Sequence, residues 1–254
     1  MGTVRGDGVT VVAPVDDFYA DLDRWSSTEG DGPTVDMAAV QLEPPVPGTA
    51  RVICVGLNYA MHIAETNSER PEFPNLFSKF RSTLVGDGAD VPVPPGDHRF
   101  DYEGELAAVV GHTGTDEAAV FAYTCFNDLT ARTWQKSVTQ WTLGKNADRS
   151  GPIGPTLVTG DELGDPYDLT LVTRRNGDEM QNTNTGLMYF RAADVLDHVA
   201  KVMTVLPGDV IALGTPSGVG YRREPPVHLG PGDTVEVEID GIGVLTTHIT
   251  KGLT

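Results

Sequence analysis

The sequence predicts an α+β fold that is mostly β, with a few short helices. Three observations carry this. Its 29 glycines and 18 prolines fall as punctuation between short apolar runs rather than in one tract, the pattern of many strands joined by turns. Pro-Gly-Asp recurs at 95–97, 207–209 and 231–233, and each copy marks a tight turn in which proline fixes one φ and glycine takes the positive φ that follows. Val235, Val237 and Ile239 alternate with Glu236, Glu238 and Asp240, which reads as a strand with one wet face turning at Asp240-Gly241 into a hairpin.

With 254 residues, 39% of them hydrophobic, the chain can bury the core of one large domain with a small appendage. Residues 1–49 read as that appendage. They contain a short strand from Val9 to Ala13, an amphipathic helix from Asp16 to Trp25, a loop across TEGDGPTVD (28–36) and a proline-rich linker from Leu42 to Gly48. The main body, 50–254, opens with a buried strand, Arg51 to Asn58, and a helix from Tyr59. Glu69 to Gly96 reads as a long loop with an apolar patch at Leu76 and Phe77 followed by Lys79 and Arg81, suited to a mobile cover over a site. A strand follows at Phe100–Val110. Thr115 can then cap a short helix over Asp116–Ala122. Asn176-Gly177 marks a hairpin between strands, and the spacing of Val195, Leu196, Val199, Val202 and Met203 predicts an amphipathic helix over Ala193–Val205.

The formal charge of −18 argues against nucleic acid or an anionic membrane as a partner. Crossing a bilayer is not expected, because no apolar run approaches the roughly 20 residues a spanning helix needs. MGTVRGDGVTVVAPVDD also lacks the basic-then-apolar order of a signal peptide. The two cysteines, Cys54 and Cys125, each lie in an apolar segment and lack zinc-site spacing, so buried reduced thiols in a cytoplasmic protein are expected.

The candidate chemistry centres on FDYEGELAAVV (100–110). Glu103 and Glu105 are two apart in a β-prone run, so both face the same way. Two like charges ahead of an apolar run call for something positive between them, and a divalent cation with oxygen ligands would serve. Taken alone the pair also fits an exposed edge strand with two solvated acids, and Glu236 and Glu238 share the spacing on a wet face. Asp128, between Phe126 and Leu129, would be costly unpaired and could be a third ligand. On a helix, His62 and Glu65 would share a face, close enough for the carboxylate to raise the basicity of the imidazole. Lys145, before a Gly-Pro-rich turn, could hold an anionic oxygen or simply be solvated. Gly214-Thr215-Pro216 could bring backbone amides and a hydroxyl to a ligand carboxylate.

Taken in order, GLNYAMHIAE, FDYEGELAAVVG, FNDLTARTWQ, QWTLGK with PIGP, RRNGDEMQ and PGDVIALGTPSGVG resemble the fumarylacetoacetate hydrolase family from about residue 50 to the C-terminus. The resemblance implies that 50–254 is a catalytic domain of mixed β-sandwich roll type, usually homodimeric, holding Mg²⁺ or Mn²⁺. It implies Glu103, Glu105 and Asp128 as metal ligands, His62 and Glu65 as a water-activating dyad on a lid, Lys145 as a catalytic cation and Gln135 as a contact to substrate oxygens. Thr215 would bind a substrate carboxylate, and Lys79 and Arg81, in the block near the lid, would be further substrate-binding residues. The activity implied is cleavage of a C–C bond in a 1,3-diketo acid of acylpyruvate or fumarylpyruvate type. The alternatives are an oxo-acid decarboxylase, a hydroxymuconate-type enol–keto isomerase, or a non-catalytic descendant of the fold. Where the family commonly has an acid after Ala-Arg, this chain has Thr133.

Overall fold

A computed structural model describes residues 1–28, 30, 32–66 and 68–252. Two mixed sheets face each other across the main core. The larger has seven strands in the order Asn75–Lys79, Val52–Gly56, Val210–Ala212, Gly104–Val110, Val120–Asn127, Gly151–Thr159 and Leu84–Val85. The smaller has five, in the order Asp178–Asn184, Thr170–Arg175, Thr234–Ile239, Gly243–Thr250 and Ala89–Pro92. Leu106, Ala108, Val110 and Ile211 of the larger sheet pack with Leu171, Val237, Ile239 and Leu245 of the smaller. The helix Ala192–Ala200 adds Val195, Leu196 and Val199 to the same cluster. The mostly β architecture expected from the turn pattern is therefore the one observed.

The strand Gly104–Val110 is buried along its whole length, because both its faces are covered. Ala107 and Val109 point away from the five-stranded sheet into a second cluster with Val52, Cys54, Phe18, Tyr19 and Leu22. The N-terminal residues thus share a core with the main body, adding a three-stranded sheet of Gly2–Arg5, Gly8–Val11 and Thr34–Asp36. The expected helix over 16–25 is split into Val15–Ala20 and Leu22–Ser26, where Asp21 leaves helical geometry. The loop expected over 28–36 includes residues 29 and 31, which lie outside the described residues, and its end is the strand Thr34–Asp36.

Two expectations are corrected. The stretch 69–96 contains the strands Asn75–Lys79, Leu84–Val85 and Ala89–Pro92 rather than a long loop. All three are edge strands, which tolerate prolines and need little apolar alternation, so their pattern is faint. The helix expected over 116–122 shrinks to a 3₁₀ turn at Glu117–Ala119 without a Thr115 cap. The aromatic and β-branched run VFAYTCFN instead forms a strand between two neighbours.

The Asn176-Gly177 turn has both residues at positive φ, 54° and 86°, as its hairpin type requires. It docks on the third Pro-Gly-Asp turn. Asp233 accepts from the Gly230 amide at 2.8 Å, Asn176 Nδ2 at 2.7 Å and Arg175 Nε at 3.0 Å. Burial by itself would raise the Asp233 carboxyl, but these donors outweigh it and hold the group below its ordinary value. A group depressed in this way contributes stability above its unfolded value, and that contribution fades as acid titrates it. Asp233→Ala is expected to destabilise the protein by about 1–2 kcal/mol at pH 7, with the difference narrowing below about pH 4; urea unfolding at both pH values measures it. Among the described residues no helix is long and apolar enough to cross a membrane, and both cysteines are buried and unpaired.

Candidate metal centre and active site

Strand register assembles the carboxylates. Gly104–Val110 and Val120–Asn127 run antiparallel with Glu105 opposite Phe126 and Gly104 opposite Asn127. One step further, the Asp128 amide donates to the Glu103 carbonyl at 2.9 Å, and Asn127 Oδ1 accepts from the Glu103 amide at 3.2 Å. Glu103, Glu105 and Asp128 each thereby present a carboxylate oxygen within 4.8 Å of the others, all buried.

Gly104, between the two glutamates, is needed for close approach of the sheets. A Cβ there would lie 2.0 Å from Thr173 Oγ1 of the smaller sheet, and the Gly104 amide donates to Gln181 Oε1 at 3.0 Å. Gly104→Ala is expected to destabilise the fold at or above the upper end of about 1–3 kcal/mol, since the obstacle is a packed strand; thermal unfolding of the purified variant tests this.

The centre carries four buried carboxylates, with Asp101 joining the three. Lys145 Nζ lies 2.6 Å from both Glu103 Oε2 and Asp128 Oδ2, and Lys79 Nζ lies 2.8 Å from Asp128 Oδ1. Arg132 Nη2 bridges Asp101 Oδ2 at 2.8 Å and Glu103 Oε1 at 2.7 Å. Glu105 has no cationic partner among the described residues; its hydrogen bond comes from the Gly214 amide at 2.8 Å. Burial, then the Asp128 and Glu103 charges, push the Glu105 carboxyl well above its ordinary value. At Glu103 burial acts the same way, but Lys145 and Arg132 overcome it and hold the group below its ordinary range. Lys145 is in turn raised, because Asp128 and Glu103 outweigh its burial.

The donor set fits a hard divalent cation. All three groups are carboxylates, the oxygens converge, and one of them, Glu105, 1% exposed, has no ion-pair partner among the described residues. These are the oxygens that would hold Mg²⁺ or Mn²⁺.

His62 and Glu65 lie on the helix Ala60–Glu65, with His62 Nδ1 3.1 Å from Glu65 Oε2. The other oxygen, Glu65 Oε1, accepts from the Gly218 amide at 3.0 Å, so the carboxylate is fixed at both ends. Asn58 anchors the helix entry: fully buried, it donates to the carbonyls of Phe190 and Leu213 and accepts from the Phe190 amide, all at 2.8 Å.

A cavity of about 120 Å³, small beside the roughly 300–1,000 Å³ of drug-sized pockets, joins these groups. Its lining includes His62, Glu103, Glu105, Gln135, Lys145 and Thr215. Phe77, of the apolar patch read from the sequence, forms another wall with Trp141, the rings 5.3 Å apart and edge-on. Gly144 lets the Lys145 helix sit against Gln135, whose Cβ is 2.4 Å from where a Gly144 Cβ would be.

Three sequence expectations meet a different arrangement. Lys79 is 2% exposed and lies beneath Asp128 rather than on the cavity wall, donating to the carbonyls of Lys145 and Leu129 and to Ser150 Oγ. A substrate contact there is corrected to internal neutralisation of Asp128. Arg81 donates to the carbonyls of Pro47 and Val46 and clasps the N-terminal linker, away from the site. Thr215 lines the cavity, but its hydroxyl donates to the Gly104 carbonyl and accepts from Gln181 Nε2, so it ties sheet to loop. Thr133, in place of an acid, donates its amide to Asp97 Oδ1 at 3.2 Å and is not part of the lining.

Sequence reasoning missed Arg132, Lys136, Tyr221 and Arg222, all on the cavity wall. Arg132 had a usable signal: an arginine in LTARTW is costly to bury unless acids meet it. Tyr221 and Arg222 had none, since a long-range loop carries them there.

The chain matches the family described as fumarylacetoacetate (FAA) hydrolase C-terminal over residues 51–250. It is 41% identical over 225 residues to the mitochondrial oxaloacetate tautomerase FAHD2A of Bos taurus, covering 85% of this chain and 72% of that one. A 2-hydroxyhepta-2,4-diene-1,7-dioate isomerase from Mycobacterium marinum superposes with a TM-score of 0.76 at 35% identity, over 89% of this chain and 83% of that one. The fumarylpyruvate hydrolase from Pseudomonas aeruginosa, solved with Mn²⁺ and pyruvate, superposes with a TM-score of 0.72 at 28% identity, over 84% and 93% respectively. With its fold, its buried carboxylates and a match spanning residues 51–250, the chain belongs to the fumarylacetoacetate hydrolase family.

Proposed function

We propose that this protein is a divalent-metal-dependent enzyme that interconverts the enol and keto forms of a 2-oxo acid of the oxaloacetate class. The observation that carries the reading is one small cavity lined by two carboxylates of a buried three-carboxylate cluster and by His62, whose Nδ1 lies 3.1 Å from Glu65 Oε2. The tautomerase at 41% identity favours this chemistry over the alternatives.

A hard cation on Glu103, Glu105 and Asp128 would draw negative charge onto the substrate's 2-oxo oxygen and so acidify the neighbouring C–H. The remaining steps belong to the chain's own groups. His62 takes a proton from the carbon next to the oxo group at its free Nε2, while Glu65 holds the Nδ1 proton and stabilises the imidazolium. The oxo oxygen gains a proton, so the tautomers exchange one proton with no net change. Lys145 and Gln135 stand on the wall as donors to that oxygen. Phe77 and Trp141 limit the entry of water.

Hydrolytic cleavage of a 1,3-diketo acid is the second reading, because the same dyad could deprotonate water for attack on the distal carbonyl; the fumarylpyruvate hydrolase relative favours it. Decarboxylation of an oxo acid needs the cation but not that water. Assaying oxaloacetate, acetylpyruvate and a hydroxymuconate side by side with Mg²⁺ or Mn²⁺ separates the three. The expected result is metal-dependent loss of the oxaloacetate enol absorbance without release of CO₂ or pyruvate. Pyruvate from acetylpyruvate with no effect on the enol would overturn the first reading in favour of the second. A cytoplasmic homodimer is the proposed setting, consistent with two buried free thiols; light scattering after size exclusion reports the dimer.

A further inference from the structure

Tyr221 is ringed by positive charge. The guanidinium carbon of Arg132 lies 4.6 Å from its ring centroid, that of Arg222 lies 4.9 Å away, and Lys136 Nζ lies 5.1 Å away. Each contact is favourable with the ring face, but three cations so close repel one another unless anions stand among them. Arg132 has its anions in Asp101 and Glu103. Lys136 and Arg222 have none within ion-pairing distance among the described residues. Arg222 instead donates from Nη2 to the Thr66 carbonyl at 3.0 Å and from Nε to Tyr221 Oη at 2.8 Å, which fixes the guanidinium against the ring. In a chain with 36 acidic and 18 basic residues, two basic side chains without an acid face the same cavity as the carboxylate cluster.

The missing anion is therefore one that arrives. We propose that Lys136 and Arg222, laid over Tyr221, bind the second carboxylate of a dicarboxylic acid whose 2-oxo acid end sits at the Glu103–Glu105–Asp128 centre. These two residues then set the preference for a diacid over a monoacid. Arg132 touches both regions, through Glu103 at one end and the Tyr221 ring at the other, and Lys136, Arg222, Glu103 and Glu105 line the same cavity of about 120 Å³, which suits a short-chain diacid. Arg222 can offer its remaining N–H groups as a fork, and Lys136 a mobile point charge. The inference rests on the 2-oxo acid reading above and adds the feature of the substrate that selects it.

The test compares oxaloacetate with its 4-methyl ester, which differ in the charge of the distal group. Both are measured on the full-length, metal-loaded protein by steady-state kinetics and by calorimetric binding. The wild type is expected to show a KM and a Kd for the diacid at least tenfold below those for the ester. Arg222→Gln and Lys136→Gln are each expected to raise both constants for the diacid about fivefold or more, and those for the ester by less than about twofold. Lys136 is exposed, and among the described residues its side chain has no hydrogen bond or ion pair besides its place over the ring, so its variant tests the idea even if Arg222→Gln disturbs the turn. Equal handling of diacid and ester by the wild type overturns the inference, as does an equal loss for both ligands in Lys136→Gln. Turnover without discrimination leaves the proposed reaction standing and removes this inference. Discriminating binding without turnover does the reverse, and binding of neither ligand removes both.

Discussion

Replacing Glu105 by glutamine is expected to weaken Mn²⁺ and Mg²⁺ binding by well over a hundredfold and to abolish metal-dependent turnover, while the metal-free protein stays folded. Loss of a partner that merely orients a ligand costs about 10–100-fold in metal affinity, and Glu105 is proposed as a ligand itself. The folding half of the prediction follows from its surroundings. Glu105 is 1% exposed and has no ion-pair partner among the described residues, so the carboxylate is a buried charge that the metal-free fold must carry or protonate. Glutamine keeps the shape and leaves an oxygen for the Gly214 amide, so the substitution removes a liability rather than a support. Calorimetric titration with Mn²⁺ measures affinity. Thermal unfolding with and without Mn²⁺ gives an independent readout, since a cation at 100 times its Kd stabilises by about 2.7 kcal/mol. The wild type is expected to gain stability on metal addition and Glu105→Gln to gain none. Glu236→Gln, at the same two-residue spacing but half-exposed on the alternating strand, is expected to change neither. Wild-type Mn²⁺ affinity in Glu105→Gln would remove the cluster as the metal centre.

That contrast shows what local pattern can and cannot specify. Glu103-Gly104-Glu105 and Glu236-Val237-Glu238 are equivalent by spacing, and it is the fully apolar run after the first pair that marks a strand covered on both faces. The hairpin at Asn176-Gly177 and the Pro-Gly-Asp turns were legible because a turn type demands particular residues whatever surrounds it. Edge strands were not. Asn75–Lys79, Leu84–Val85 and Ala89–Pro92 each pair with a segment distant in sequence, so nothing in 69–96 distinguishes them from a loop. The same limit governs the charged residues. Lys79 and Arg81 are two apart in sequence, yet one ends buried beneath Asp128 and the other on the N-terminal linker. Each destination is set by an element that the local sequence does not describe. Gly104 shows the converse: a glycine between two glutamates reads as a gap in a strand until Thr173 is seen against it.

His62→Ala is expected to lower turnover by at least about a hundredfold, the usual scale for loss of a general base, while Mn²⁺ affinity stays within a factor of about three of wild type. Catalysis and metal binding separate here because His62 belongs to the Ala60–Glu65 helix, whereas the carboxylates belong to paired strands and the turn after them. Removing the imidazole therefore disturbs no strand register. Glu65→Gln is the sharper companion. Glu65 Oε1 takes the Gly218 amide and Oε2 faces His62 Nδ1, so an amide at this position can keep one contact while losing the charge that stabilises the imidazolium. If the dyad acts as a base, Glu65→Gln falls in kcat with little change in KM. If Glu65 served only to pin the loop at Gly218, Glu65→Gln, which can keep that contact, would leave both kcat and thermal stability near wild type. Rapid-mixing measurement of the oxaloacetate enol with saturating Mn²⁺ distinguishes these outcomes. A His62→Ala enzyme with near-normal turnover would place the proton transfer on another group, and Lys145, held 2.6 Å from Glu103 and Asp128 in this structure, would be the one to replace next.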